Sequence, residues 1–88
     1  MKNKVLVKII FPELEIEYDA FIPVNELIWK VTKLVVKAVS DLTNSNIDVT
    51  LDYIIMNKET GRVYTNNEVI IDTDIRNATE LVIVSKNI

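Results

Sequence analysis

Four short patterns in this 88-residue chain carry side chains able to do chemistry. Asp72-Thr73-Asp74 opens like a calcium loop, in which alternating oxygens ring a hard cation. Arg76 stands at the third ligand position, however, and Asn77 where such a loop needs glycine, so the segment reads as a structural turn. Glu13, Glu15, Glu17 and Asp19 alternate along one strand face, a spacing that could pair acids for proton transfer. With no partner base they read as a solvated face that keeps a sheet edge soluble. Lys30, Lys33 and Lys37 make a basic stripe, which reads as the wet face of a helix rather than a phosphate or acidic-lipid site. Asn77-Ala78-Thr79 is a formal glycosylation sequon, without meaning unless the chain is exported. The absence of Cys and His removes disulfides, thiol nucleophiles, imidazole bases and the commonest zinc ligands. No catalytic, cofactor-binding or metal-ligating residue can be nominated, and the expectation is a non-enzymatic protein without cofactors.

Charge and hydropathy narrow the partners. Ten Lys and Arg against 13 Asp and Glu leave a net charge of −3 and a pI near 4.8, which disfavours nucleic acid, whose binding draws on phosphate neutralisation. Hydrophobic residues make up 49% and mean hydropathy is +0.20, more than a small core hides, so some apolar surface should stay outside. The apolar run near the N-terminus is too short to span a membrane and is interrupted by Lys8, so it reads as a strand; no direct membrane insertion is expected. The expectation is a single domain over residues 1–88, cytoplasmic in location.

One element organises the rest. Residues 23–42 form the single long segment with helical periodicity, and Val24, Leu27, Ile28, Val31, Leu34, Val35, Ala38 and Leu42 are predicted to share its buried arc. Glu26, Lys30, Lys33, Lys37 and Asp41 fall opposite. A helix with one apolar stripe needs a sheet to cover it, which implies a two-layer α+β domain. Residues 4–11 and 14–21 read as a hairpin. A register pairing Val7 with Tyr18 and Ile9 with Ile16 gathers the inward residues and sets Lys8 opposite Glu17, a pair worth about 0.2–1 kcal/mol. Pro12 excludes a two-residue primed turn and asks for a four-residue loop. Residues 43–46 break the helix, and alternation from Ile47 to Met56 predicts a third strand. Gly61 marks a positive-φ turn, residues 62–65 a short strand, residues 69–72 a single helical turn or buried loop, and residues 79–85 an apolar last strand.

Strand, strand, helix, strand, short strand, turn, strand is the order of a β-grasp, with a mixed four- to five-stranded sheet and one long helix on one face. The residues resemble ubiquitin-like proteins in the run from Val69 to Val84: an apolar residue, Asp72 close behind, Ile75 capping a tight turn, then the last strand. Phe21-Ile22-Pro23-Val24-Asn25-Glu26-Leu27-Ile28 and Asn57-Lys58-Glu59-Thr60-Gly61-Arg62-Val63-Tyr64 are similar to the YukD/EsaB branch, small cytoplasmic proteins of Gram-positive type VII secretion systems. The chain departs from that branch at Ala78, where glycine is usual, so Asn77 is expected to take the left-handed conformation there or the turn to differ. The resemblance implies an accessory or regulatory role through a protein partner, such as the cytoplasmic part of a membrane secretion component. Alternatives are a stand-alone β-grasp adaptor and a sulfur carrier or modifier with a lost C-terminus. Conjugation needs a terminal Gly-Gly, whereas this chain reads Ser85-Lys86-Asn87-Ile88; if that is the true end, it is neither modifier nor carrier.

Two surfaces are candidates for the partner. With first and last strands central, Leu6, Ile10, Ile54, Met56, Val82 and Val84 share the sheet face away from the helix, rimmed by Lys4, Lys8, Glu15, Glu17 and Asp19. Each could contribute roughly 1.5–3 kcal/mol on burial. A homodimer could use the same face. Trp29 and Val36, spaced seven apart, are predicted to form a secondary surface on the outside of the helix.

Overall fold

The computed structural model describes residues 3–44, 47 and 51–86. Four strands, β1 (Lys4–Phe11), β2 (Ile16–Pro23), β3 (Tyr53–Asn57) and β4 (Glu80–Ser85), form one sheet in the order β2-β1-β4-β3. β1 and β4 lie parallel at its centre, with antiparallel β2 and β3 at the edges. One helix, α1 (Ile28–Thr43), packs on one face, which is the ubiquitin-like β-grasp arrangement. Residues 62–65 make no strand of their own; Val63 touches the sheet through a single bridge to Met56. Of the strand expected to begin near Ile47, the formed part is Tyr53–Asn57, and residues 48–50 lie outside the described ones.

β1 alternates as its sequence demands, with Val7, Ile9 and Phe11 buried and Lys4, Lys8 and Ile10 pointing away. The hairpin register differs by two residues from the expected one: Val7 faces Ala20 and Ile9 faces Tyr18. The connection sets this shift. Pro12 starts a short 3-10 turn (Pro12–Leu14), which Glu15 closes in the left-handed conformation at φ 55°. Those four loop residues place Phe11 opposite Ile16. A two-residue slip keeps every side chain on its face, so the core survives it. Lys8 still reaches Glu17, at 3.7 Å, but diagonally, since its direct partner is Asp19.

The helix begins five residues later than its periodicity suggested, because Pro23 belongs to β2. Val24 N–H donates to Asn3 O, Ile71 N–H to Val24 O, and Ile70 N–H to Glu26 O, so residues 24–26 are used as a connector. The helix presents Ile28, Val31, Thr32, Val35, Val36 and Val39 to the sheet. Leu34 is 58% exposed and Leu42 71%, so both leave the expected stripe, whereas Val36, expected outside, is buried at 2%. Val24 and Leu27, which help set the phase of the expected arc, precede the helix. The observed stripe is turned toward compact β-branched side chains, which pack closely on a pleated sheet. Thr32 is admissible there because its hydroxyl donates to Ile28 O at 2.8 Å. Asn44, left-handed at φ 53°, ends the helix by donating its N–H to Ser40 O.

Ile55, Leu81 and Ile83 complete the sheet side of the core, and Ile70 and Ile75 close one end. Residues Ile70–Asp72 form a 3-10 turn, as the short apolar run implied. Gly61 has φ 77°. At the tight turn before β4 it is Ala78 itself, not Asn77, that adopts φ 74°. Asn77 is otherwise engaged: its Oδ1 accepts the Leu6 N–H at 2.9 Å, while Ala78 N–H donates to Leu6 O at 2.8 Å.

Candidate docking surfaces

The outward positions of the four strands form rows across the sheet. Ile10 lies beside Val82, Val82 faces Met56, and Val84 faces Ile54. These five half-buried side chains make one contiguous apolar patch on the face away from the helix. Val63, 48% exposed and bridged to Met56, extends it, although nothing in its local sequence marks it as a surface residue. Leu6, the sixth residue expected there, stands apart. Between it and the patch runs a charged row in which Asp19 faces Lys8 and Lys8 faces Glu80. Lys8 reaches Glu17 at 3.7 Å, and Lys58 reaches Glu80 at 3.5 Å. Lys8, Glu17 and Asp19 therefore cross the face rather than rim it. Leu6 instead pairs with Phe21, which is 55% exposed. Strict alternation from Glu15 through Asp19 already placed Phe21 outward, and that signal could have named it.

The acidic run divides by role. Glu17 and Asp19 occupy outward positions of β2, but Glu13 lies on the 3-10 turn, where its carboxylate accepts the Ser85 N–H at 2.8 Å and the Ser85 hydroxyl at 3.2 Å. Of the helix lysines, Lys30 reaches Glu26 at 4.0 Å and Lys37 reaches Asp41 at 3.5 Å. The Lys33 side chain has neither ion pair nor hydrogen bond among the described residues.

Trp29, 37% exposed, stands on the wall of a groove of about 460 Å³ between α1 and β3. Val36 belongs to its lining, so the two residues expected to share an outer helix face are instead exposed and buried parts of one concavity. The far wall is held by a polar clamp. Tyr64, 3% exposed, donates its hydroxyl proton to Asp74 Oδ1 and accepts from Asn57 Nδ2 at 3.2 Å. Arg62 lies over the Tyr64 ring at 4.9 Å and pairs with both Glu68 and Asp74, at 3.6 Å in the latter case. Burial, reinforced by the Asp74 hydrogen bond and charge, pushes the Tyr64 phenol up to about 12. The Thr65 N–H, with Arg62 beside it, holds the Glu68 carboxyl below its ordinary value. Asp74 is thus spent on a fold contact, in keeping with the structural reading of Asp72-Thr73-Asp74. The first N–H groups of α1 meet backbone rather than side chains: Ile28 donates to Glu68 O and Trp29 to Asn66 O.

Among the described residues no helix is long and apolar enough to cross a membrane. No protein-family model matches the sequence, and no curated protein matches it. Solved structures match it in fold. A chain of the toluene 4-monooxygenase HD complex with 4-bromobenzoate superposes with TM-score 0.77 at 8% identity, covering 94% of this chain and 99% of that one. The ubiquitin-like domain of the Mycobacterium tuberculosis type VII secretion system protein ECCD1 gives TM-score 0.72 at 13% identity, covering 93% and 98%. A chain of the MycP5-free ESX-5 inner membrane complex gives TM-score 0.69 at 13% identity, covering 94% of this chain but 21% of that one. At such identities the likeness carries the fold alone, and that fold is the ubiquitin-like β-grasp.

Proposed function

We propose that this chain is a non-enzymatic protein-interaction module of the YukD/EsaB kind, an accessory or regulatory component of a Gram-positive type VII secretion system. It acts as a single cytoplasmic domain that docks non-covalently on a protein partner, the cytoplasmic part of a membrane secretion component. The observation that carries the reading is the patch of Ile10, Ile54, Met56, Val82 and Val84, fixed on a rigid sheet and bounded by a charged row. An apolar centre with a polar border is the anatomy of a partner interface, and strands present it already ordered. Secretion-system proteins among the fold neighbours agree with the assignment to that apparatus. A β-grasp adaptor outside secretion would use the same patch, and gene order separates the two: neighbouring genes for a membrane ATPase and small helical WXG-type substrates support the secretion role.

The decisive experiment is affinity capture of the partner with the wild-type chain, Val82→Asp and Trp29→Ala. Val82 does not face α1, so its replacement should keep the circular dichroism spectrum while weakening binding by at least about 1–2 kcal/mol. Trp29→Ala should weaken it less. The opposite ranking, with both variants folded, would refute the sheet-face assignment. Light scattering over a concentration series shows whether the occupant is a second copy.

A further inference from the structure

We propose that the groove between α1 and β3 is a second docking site, which borders the sheet-face patch at Ile54 and Val63, and that it takes a short acidic peptide segment anchored by one large apolar side chain. Its depth is apolar and buried. Ile28, Val36 and Ile55 are buried at 1%, 2% and 1%, while Trp29 and Val63 stand half-exposed at the sides. A volume of about 460 Å³ suits one aromatic or long aliphatic side chain with its flanking backbone.

Charge specifies what flanks that anchor. Lys8, Lys30, Lys37, Lys58 and Arg62 each lie within 4.0 Å of a carboxylate. Lys33 and Lys86, on the helix wall and just beyond β4, have no carboxylate partner or side-chain hydrogen bond among the described residues, and both line the groove. Among the described residues Asp52 is the single acid in the lining, against Lys33 and Lys86, so that lining is cationic on a chain whose net charge is −3. Unpaired cations at the mouth of an apolar slot are complementary to a carboxylate next to a hydrophobic anchor. A bare phosphate would leave the apolar floor unused, and a second copy would bring a net negative molecule against a net negative one. Lys4, at the start of β1, and Arg76 also lack a carboxylate partner among the described residues, but neither lines the groove.

The test is selection of a random 12-residue peptide library displayed on phage against the immobilised protein. Enriched sequences should combine a large apolar residue with adjacent Asp or Glu. A synthetic representative, titrated into isotope-labelled protein, should move the Trp29 indole N–H and the amides of Lys33, Val63 and Thr65, and leave Val82 unmoved. Lys33→Glu combined with Lys86→Glu should weaken its binding at least tenfold with an unchanged circular dichroism spectrum, while Val82→Asp should not alter it. That last arm separates this site from the sheet face: either can fail without the other. The proposal is overturned by no enrichment, by enriched peptides without acids, by shifts centred on Ile10 and Val82, or by equal binding to the charge-reversed protein. Groove resonances that move on simple dilution would assign it to self-association and overturn the peptide occupant.

Discussion

Removing one oxygen from Tyr64 tests the clamp that holds the groove wall. In Tyr64→Phe the ring, and Arg62 over it at 4.9 Å, can stay in place, but the Asp74 carboxylate loses a donor and Asn57 Nδ2 loses an acceptor. A buried hydrogen bond to a charged acceptor is worth about 1.5–3 kcal/mol; Asp74 is 45% exposed, so water recovers part of that. Asn57 is 7% exposed and its orphaned amide adds about 1 kcal/mol, for a total near 2 kcal/mol at neutral pH. In a domain of this size that lowers the melting temperature by roughly 8–16 °C. The pH dependence is an independent check. A phenol raised from 10.0 to about 12 stays protonated in the folded chain where it ionises in the unfolded one. Its contribution is therefore complete below pH 10 and is lost as pH rises through 12, with about 1.4 kcal/mol gone by pH 11. Urea midpoints for wild type and variant should differ at pH 7 and pH 9 and converge by about that amount at pH 11. A difference below about 0.5 kcal/mol at pH 7, or one constant from pH 9 to pH 11, would refute the clamp.

The helix phase is tested by Val39→Ala against Leu34→Ala. Val39 is fully buried, so losing two methyl carbons and leaving a void should cost about 2–3 kcal/mol, whereas Leu34, 58% exposed, should change stability by less than about 0.5 kcal/mol in urea titration. Ala78→Gly should raise the melting temperature: an L-residue held at φ 74° costs about 1–2 kcal/mol, and glycine's greater unfolded-state freedom offsets about 0.4–1 kcal/mol. A net gain near 0.5–1 kcal/mol is expected, and a loss would show that the Ala78 methyl makes contacts that outweigh the strain.

Local periodicity carried the fold a long way. Alternation in residues 4–11 and 79–85 defines both central strands, and a single amphipathic segment with strands on either side leaves few ways to build two layers. What failed depended on contacts far apart in the chain. Pro23 looked like a helix start because its missing N–H suits that position, yet hydrogen bonds to Asn3 and to the segment at Ile70 draw its neighbours into a connector. Leu34 and Leu42 are strong apolar signals, but the sheet receives the compact stripe at Val35, Val36 and Val39. The patch was legible because outward positions follow from parity. Lys8, between Leu6 and Ile10 on the same face of β1, already marked a charge there, but the full row that divides Leu6 from the patch required knowing that Lys8 lies beside Glu80, a consequence of the β1–β4 register. The groove lay beyond reach for the same reason: Trp29, Lys33 and Lys86 become neighbours only when the last strand is in place.

The parallel pairing of the first and last strands also fixes how the molecule meets force. A pull at Lys4 and Ser85 runs along both strand axes in opposite directions. The bonds between β1 and β4, reinforced by Lys8 N–H to Thr79 O at 3.0 Å and Ala78 N–H to Leu6 O at 2.8 Å, are then sheared together rather than peeled in turn. A pull across Tyr53 and Ser85, which face each other at one end of an antiparallel pair, opens its bonds one after another. The mechanically resistant direction is the one that joins the start of β1 to the end of β4.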